Sequence, residues 1–143
     1  MRSAHRLLPL LLLVSVSSVT AQVSQADVQA HKDRMLAAQE LKFAIIERLA
    51  ADSTEGVEQD LRALDPLLQA EIDYWGKTGL DDIVHLARDN LDQVRALHSS
   101  VSIGRADLAL AAWGEVERTC SGCHDLHPER RVRVAGASPA PGH

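Results

Sequence analysis

The sequence predicts an all-α chain folded as an antiparallel four-helix bundle, and three observations predict it. Apolar residues recur at spacings of three and four through four successive segments, the period of one helix face. The connections between those segments are short, which makes consecutive helices antiparallel neighbours. The 143 residues show no alternating strand pattern and no long internal repeat.

The chain starts with a leader. Arg2, His5 and Arg6 give a basic start, and Leu7 to Val14 is an apolar run broken only by Pro9. Val19, Thr20 and Ala21 end it in small residues, so residues 1–21 read as a secretory signal peptide cleaved before Gln22. The apolar run is short for a membrane span, although an uncleaved anchor is the competing reading. The remaining chain of about 120 residues suits one domain with one core. That domain is expected over residues 22–131, in the periplasm.

The first helix is expected over Gln25 to Ala50, with Ser24 as N-cap and Asp27 three residues on. Its apolar positions include Val28, Met35, Leu36, Leu41, Ile45, Ile46 and Leu49. The second region runs from about Thr54 to Trp75, with Val57, Leu61, Leu64, Leu68, Ile72 and Trp75 in one stripe. Pro66 interrupts it. Asp65 as a new N-cap and Pro66 at the first helical position predict a kink or a two-piece helix. Gly76 and Gly79 mark the next loop.

The third helix is expected from Asp81 to Ser100, burying Ile83, Leu86, Ala87, Leu91, Val94, Leu97 and Val101. After a turn at Ser102 to Arg105, the fourth runs from Ala106 to His127 and ends before Pro128. Ala109, Trp113, Val116, Cys120, Cys123 and His124 continue one of its faces. Residues 132–143, rich in Gly, Ser, Pro and Ala, are expected to be a disordered tail. Arg130 and Arg131 just before it and Arg133 at its start form a solvated basic patch, with propionate pairing as the second reading.

Cys120-Ser121-Gly122-Cys123-His124 contains both cysteines of the chain. C-x-x-C-H is the attachment signature of a c-type haem. Two thiols add to the two vinyl groups of one porphyrin, and the adjacent imidazole of His124 reaches the iron from the proximal side. Three other readings compete. A disulfide needs only the pair itself. A thioredoxin-like redox pair wants a strand-to-helix context, whereas this pair lies late in a helix. Zinc on Cys120, Cys123, His124 and His127 would wrap poorly, since structural zinc usually draws ligands from two distant segments. The leader favours haem c, because it sends the chain to the compartment where such haems are attached. Haem would make the hard chemistry the cofactor's.

Composition excludes other classes. Without the leader, 13 Lys and Arg face 20 Asp and Glu, a formal charge of −7. A chain this acidic is a poor nucleic-acid binder; docking on a basic redox partner protein is one reading of the charge, and solubility is the commoner one. Aromatics are limited to Phe43, Tyr74, Trp75 and Trp113. A porphyrin would add flat apolar bulk that the side chains do not supply. No paired carboxylates or nucleophile constellation points to an enzyme.

Most small c-type cytochromes carry C-x-x-C-H near the start of the chain; here it is near the end, on the last helix. This arrangement resembles the class II cytochromes c, the cytochrome c′ family and its low-spin relatives. The residue match is specific over Gly104 to His124, with Trp113, Cys120, Cys123 and His124 in place. The resemblance implies a left-handed bundle with one haem between the helices, as a monomer or a homodimer through the first helices. It also implies a distal residue from the first helix. Met35, the fourteenth residue after the expected cleavage and the sole methionine left by it, matches that position. Many relatives carry Arg one turn earlier, paired with a propionate; here His31 stands there, beside Lys32 and Arg34. The run after His124, Asp125-Leu126-His127-Pro128-Glu129-Arg130, also departs from the family pattern.

Function is therefore expected to be electron transfer by a periplasmic monohaem cytochrome, its iron held by His124 and Met35. A thioether ligand raises the potential of haem iron. The alternative is a five-coordinate haem protein binding nitric oxide or carbon monoxide, with Met35 as core filler. A helical structural or sensory domain without haem is the third class. His31 is a competing distal ligand. His85 and His98 are expected at or near the surface.

Overall fold

The computed structural model describes residues 23–128. The expected signal peptide with its cleavage point, the C-terminal tail and Arg130, Arg131 and Arg133 lie outside the described residues. The described chain forms four helices, α1 (Gln25–Ala50), α2 (Val57–Thr78), α3 (Asp81–Ser102) and α4 (Ala106–Leu126). No strand occurs among the described residues, and no helix there is long and apolar enough to cross a membrane.

Cross-helix pairs fix the directions. The start of α1 meets the end of α2 through Asp27 and Lys77, and its end meets the start of α2 through Arg48 and Asp60. Glu58 and Asp65 of α2 pair with His98 and Arg95 of α3, again in reverse order. Asp82 at the start of α3 meets His127 just past α4. The result is an antiparallel four-helix bundle in which α1 and α3 each pack along α2 and α4. The α3–α4 seam is the densest and the α1–α4 seam the sparsest.

Local chemistry sets the helix ends. Ser24 Oγ accepts from the Asp27 backbone N–H at 3.1 Å, and Asp27 Oδ2 accepts from the Ser24 backbone N–H at 3.0 Å. This reciprocal capping box satisfies two donors left open at the start of α1, and such caps contribute about 1 kcal/mol. Gly79 closes α2 with φ of 73°, a conformation that side-chain-bearing residues rarely adopt. At the far end, α4 stops at Leu126, two residues before the helix-breaking Pro128, with His127 as C-cap.

Two expectations about α2 are corrected. Pro66 does not divide it: the helix is continuous from Val57 to Thr78, with Asp65 inside it and paired to Arg95 rather than capping a new start. Pro66 and Arg62 are both exposed, so the Arg62 carbonyl that lacks an amide partner faces water. Gly76 is likewise helical, and the loop is shortened to the residues after Thr78.

The core forms two clusters. Ile45 and Leu49 from α1, Val57, Leu61 and Leu64 from α2, Val94 and Leu97 from α3, and Val116 from α4 fill the larger one. Each such buried aliphatic contributes about 1.5–3 kcal/mol. A smaller cluster of Tyr74, Trp75, Ile83 and Val84 closes the other end. Between them the helix faces present the small Ala87 and the buried polar Glu71, Asn90 and Thr119.

Leu97→Ala, at a side chain with no exposure, is expected to lower unfolding free energy by about 2–5 kcal/mol. Pro66→Ala is expected to raise it by about 1–3 kcal/mol, since Ala restores the bond to the Arg62 carbonyl. Chemical denaturation followed by far-UV circular dichroism checks both.

Candidate functional site

The gap between the two clusters is a cavity of about 690 Å³, walled by all four helices. That volume lies in the range of small-molecule and cofactor sites. Its α4 wall carries Trp113, Val116, Cys120, Cys123 and His124, and its α1 wall carries His31, Met35 and Ala38. Leu64, Leu68, Glu71 and Trp75 of α2 and Ile83, Ala87 and Asn90 of α3 complete it. The sequence-predicted residues Cys120, Cys123, His124 and Met35 thus line one cavity. The reason is periodic: Val116, Cys120 and Cys123 follow each other by one helical turn on the face that buries Ala109 and Trp113.

Both cysteines are free and half-buried. Burial pushes the Cys120 thiol above its ordinary value, against the opposing pull of Lys42 and of a hydrogen bond from Asn90. Burial, reinforced by Cys120, pushes the Cys123 thiol up to about 11. Both are therefore neutral thiols at physiological pH. The Asn90 amide donates to Cys120 Sγ at 3.1 Å, to Thr119 Oγ1 at 2.7 Å and to the Val116 carbonyl at 3.1 Å. Those bonds satisfy a buried polar side chain and tie α3 to α4 where the first cysteine sits.

Lys42 bridges α1 to α4 through Glu117 at 2.9 Å. Burial disfavours its charge, yet Cys120 and Glu117 outweigh that and raise the ammonium above its usual value.

The α1–α2 side holds a buried ionic cluster. Glu71, 3% exposed, accepts from His31 Nδ1–H at 2.5 Å with one oxygen and from Arg34 Nε–H at 2.6 Å with the other. The His31 ring stacks on Tyr74 at 4.5 Å with 3° between planes, and meets Trp75 edge-on at 5.2 Å. Arg34 also lies 5.9 Å from the Tyr74 ring centroid. Met35 packs against the larger apolar cluster.

The remaining histidines among the described residues stand elsewhere. His85 is exposed and His98 half-buried beside Glu58, both as expected. His127 pairs with Asp82, holding the Asp82 carboxyl below its usual range. Among the described residues no three or more His, Cys, Asp or Glu side chains converge as ligands for a metal ion.

Sequence reasoning missed Glu71, Asn90, Thr119 and Lys42 as members of the site. A signal for three of them exists. Glu71 falls between Leu68 and Trp75, Asn90 between Ala87 and Val94, and Thr119 after Val116, each on an apolar stripe at helical spacing. A polar residue on such a stripe must be paired when buried. Compared with known proteins, the chain matches no family model, no curated protein and no solved structure.

A chain with both thiols free is expected to lose stability as pH rises above about 8.5, where thiols of the unfolded chain ionise. The folded thiols keep their protons longer, Cys123 to about 11, so the unfolded state releases protons first and is favoured. Denaturation midpoints across this window should fall, and Cys123→Ala should flatten the fall.

Proposed function

We propose that the cavity holds one haem, bound through Cys120 and Cys123, and that the protein is a periplasmic monohaem electron carrier of the class II cytochrome c type. The observation that carries the reading is convergence. Free thiols three residues apart on one helix face, His124 beside them and Met35 from the facing helix all line one largely apolar cavity. That donor set fits haem c: two thiols to add to the vinyl groups, an imidazole for the proximal side and a thioether for the distal side. Bound haem supplies reversible one-electron chemistry, with a potential raised by thioether ligation.

The chain's own residues would do the rest. Cys120 and Cys123 fix the orientation of the ring, and Asn90 holds Cys120 against α3. Leu64, Leu68, Ile83 and Val116 exclude water. Retaining His124 and Met35 in both oxidation states keeps the structural change per electron small, which suits a carrier rather than an enzyme. The acidic surface suits a basic redox partner.

One observation favours the gas-binding alternative. Met35 packs against the apolar cluster, as a core methionine does. A side chain satisfied in this way can serve as filler and leave the distal position to nitric oxide or carbon monoxide.

The test is visible spectroscopy of protein purified from a host with haem-attachment machinery, oxidised and dithionite-reduced, with and without carbon monoxide. Sharp low-spin bands unmoved by carbon monoxide are expected for the carrier. High-spin bands that shift with the gas would replace it with the alternative. Haem that survives a denaturing gel, and is lost in Cys120→Ser/Cys123→Ser, is expected under either reading; colourless protein would sink both.

A further inference from the structure

His31 and Met35 lie four residues apart on α1 and both line the cavity, so the helix offers two donors one turn apart on the same face. Imidazole is a good iron ligand, and a free one would compete with a thioether. What separates them here is how each is held. His31 is buried at 7% exposure, and its Nδ1 is engaged by Glu71. Its ring is sandwiched by stacking on Tyr74 and by the edge of Trp75. All three partners belong to α2. Met35 packs against apolar neighbours only by dispersion and area, interactions that give way at little cost.

We infer that Glu71 is a positioning residue that selects the distal donor: it withholds His31 on α2 and leaves Met35 as the group presented to the iron. The inference rests on the haem reading above. A carboxylate on the far nitrogen of a histidine is also the arrangement that orients many metal-bound imidazoles. Here the same carboxylate is shared with Arg34 at 2.6 Å. It therefore anchors two cationic or potentially cationic side chains of α1 to α2, with the imidazole stacked flat on Tyr74, which is a fastening between helices. Freeing His31 would strand a buried carboxylate with one partner and uncover an aromatic face, both costly.

The test uses the holoprotein made with haem-attachment machinery. Wild type is expected to be low-spin and indifferent to carbon monoxide. Met35→Ala should become high-spin and bind carbon monoxide, because His31 stays fastened. Met35→Ala/Glu71→Ala should return to low spin, lose carbon monoxide binding and show a midpoint potential below wild type, as imidazole replaces thioether. Adding His31→Phe should reopen the site. Glu71→Gln is measured beside Glu71→Ala, in case the smaller side chain prevents folding, and should move the spectra in the same direction. A Met35→Ala protein that stays low-spin through His31 overturns the inference, as does a folded double variant that stays open. If neither Glu71 variant folds, an open Met35→Ala together with an unchanged spectrum for His31→Phe supports it. Wild type that already binds carbon monoxide removes Met35 as ligand and the selection with it. Wild type without covalent haem sinks the underlying reading, and a denaturing gel shows that before any variant is compared.

Discussion

This bundle does not close between its two apolar clusters, and the rest of the structure is arranged around that constraint. At that level the inner faces of the helices carry Glu71, Ala87, Asn90 and Thr119 among the larger apolar side chains. The opening they leave measures about 690 Å³. It opens to solvent on one side, with the exposed Gln39, Phe43, Ser121 and Asp125 at its rim. Cys120 and Cys123 put two free thiols on its wall.

The helices and their order were legible because periodicity is strong. The first helix was placed to the residue, since Ser24 and Asp27 make a cap recognisable in the chain. Pro66 misled because a proline is read as a break, while an exposed helix face can leave one carbonyl to water and continue. The motif at Cys120 to His124 was legible because its spacing encodes a shared helix face. Glu71 was not, since its partners lie 40 and 37 residues earlier, at His31 and Arg34. No local pattern announces a long-range ion pair. What the sequence does show is the charge on an apolar stripe.

Burial of Glu71 has a structural consequence beyond its own bonds. A carboxylate taken out of water is costly unless its oxygens are satisfied, and both are. The pairing has one geometry, so it sets the register of α1 on α2 where a purely apolar seam would tolerate sliding. Asn90 plays the matching part on the other side, with three hydrogen bonds to α4. Two buried polar side chains, one per side, thus specify the walls of the cavity.

The sparse α1–α4 seam follows from the same plan. The cavity lies between those helices, so α1 has few α4 side chains to rest on, and Lys42 reaches across to Glu117 to tether it. The position of α1 is instead set from α2, through Asp27–Lys77 at one end, the Glu71 cluster next to it and Arg48–Asp60 at the other end. The exposed pairs contribute little each; the buried one has the most to lose if broken. The distance between Met35 and the cysteine wall is therefore governed by a helix that carries neither. Any group held between them has its distal side defined by the α1–α2 seam, and the chemistry of that side is sensitive to residues well away from the C-x-x-C-H motif.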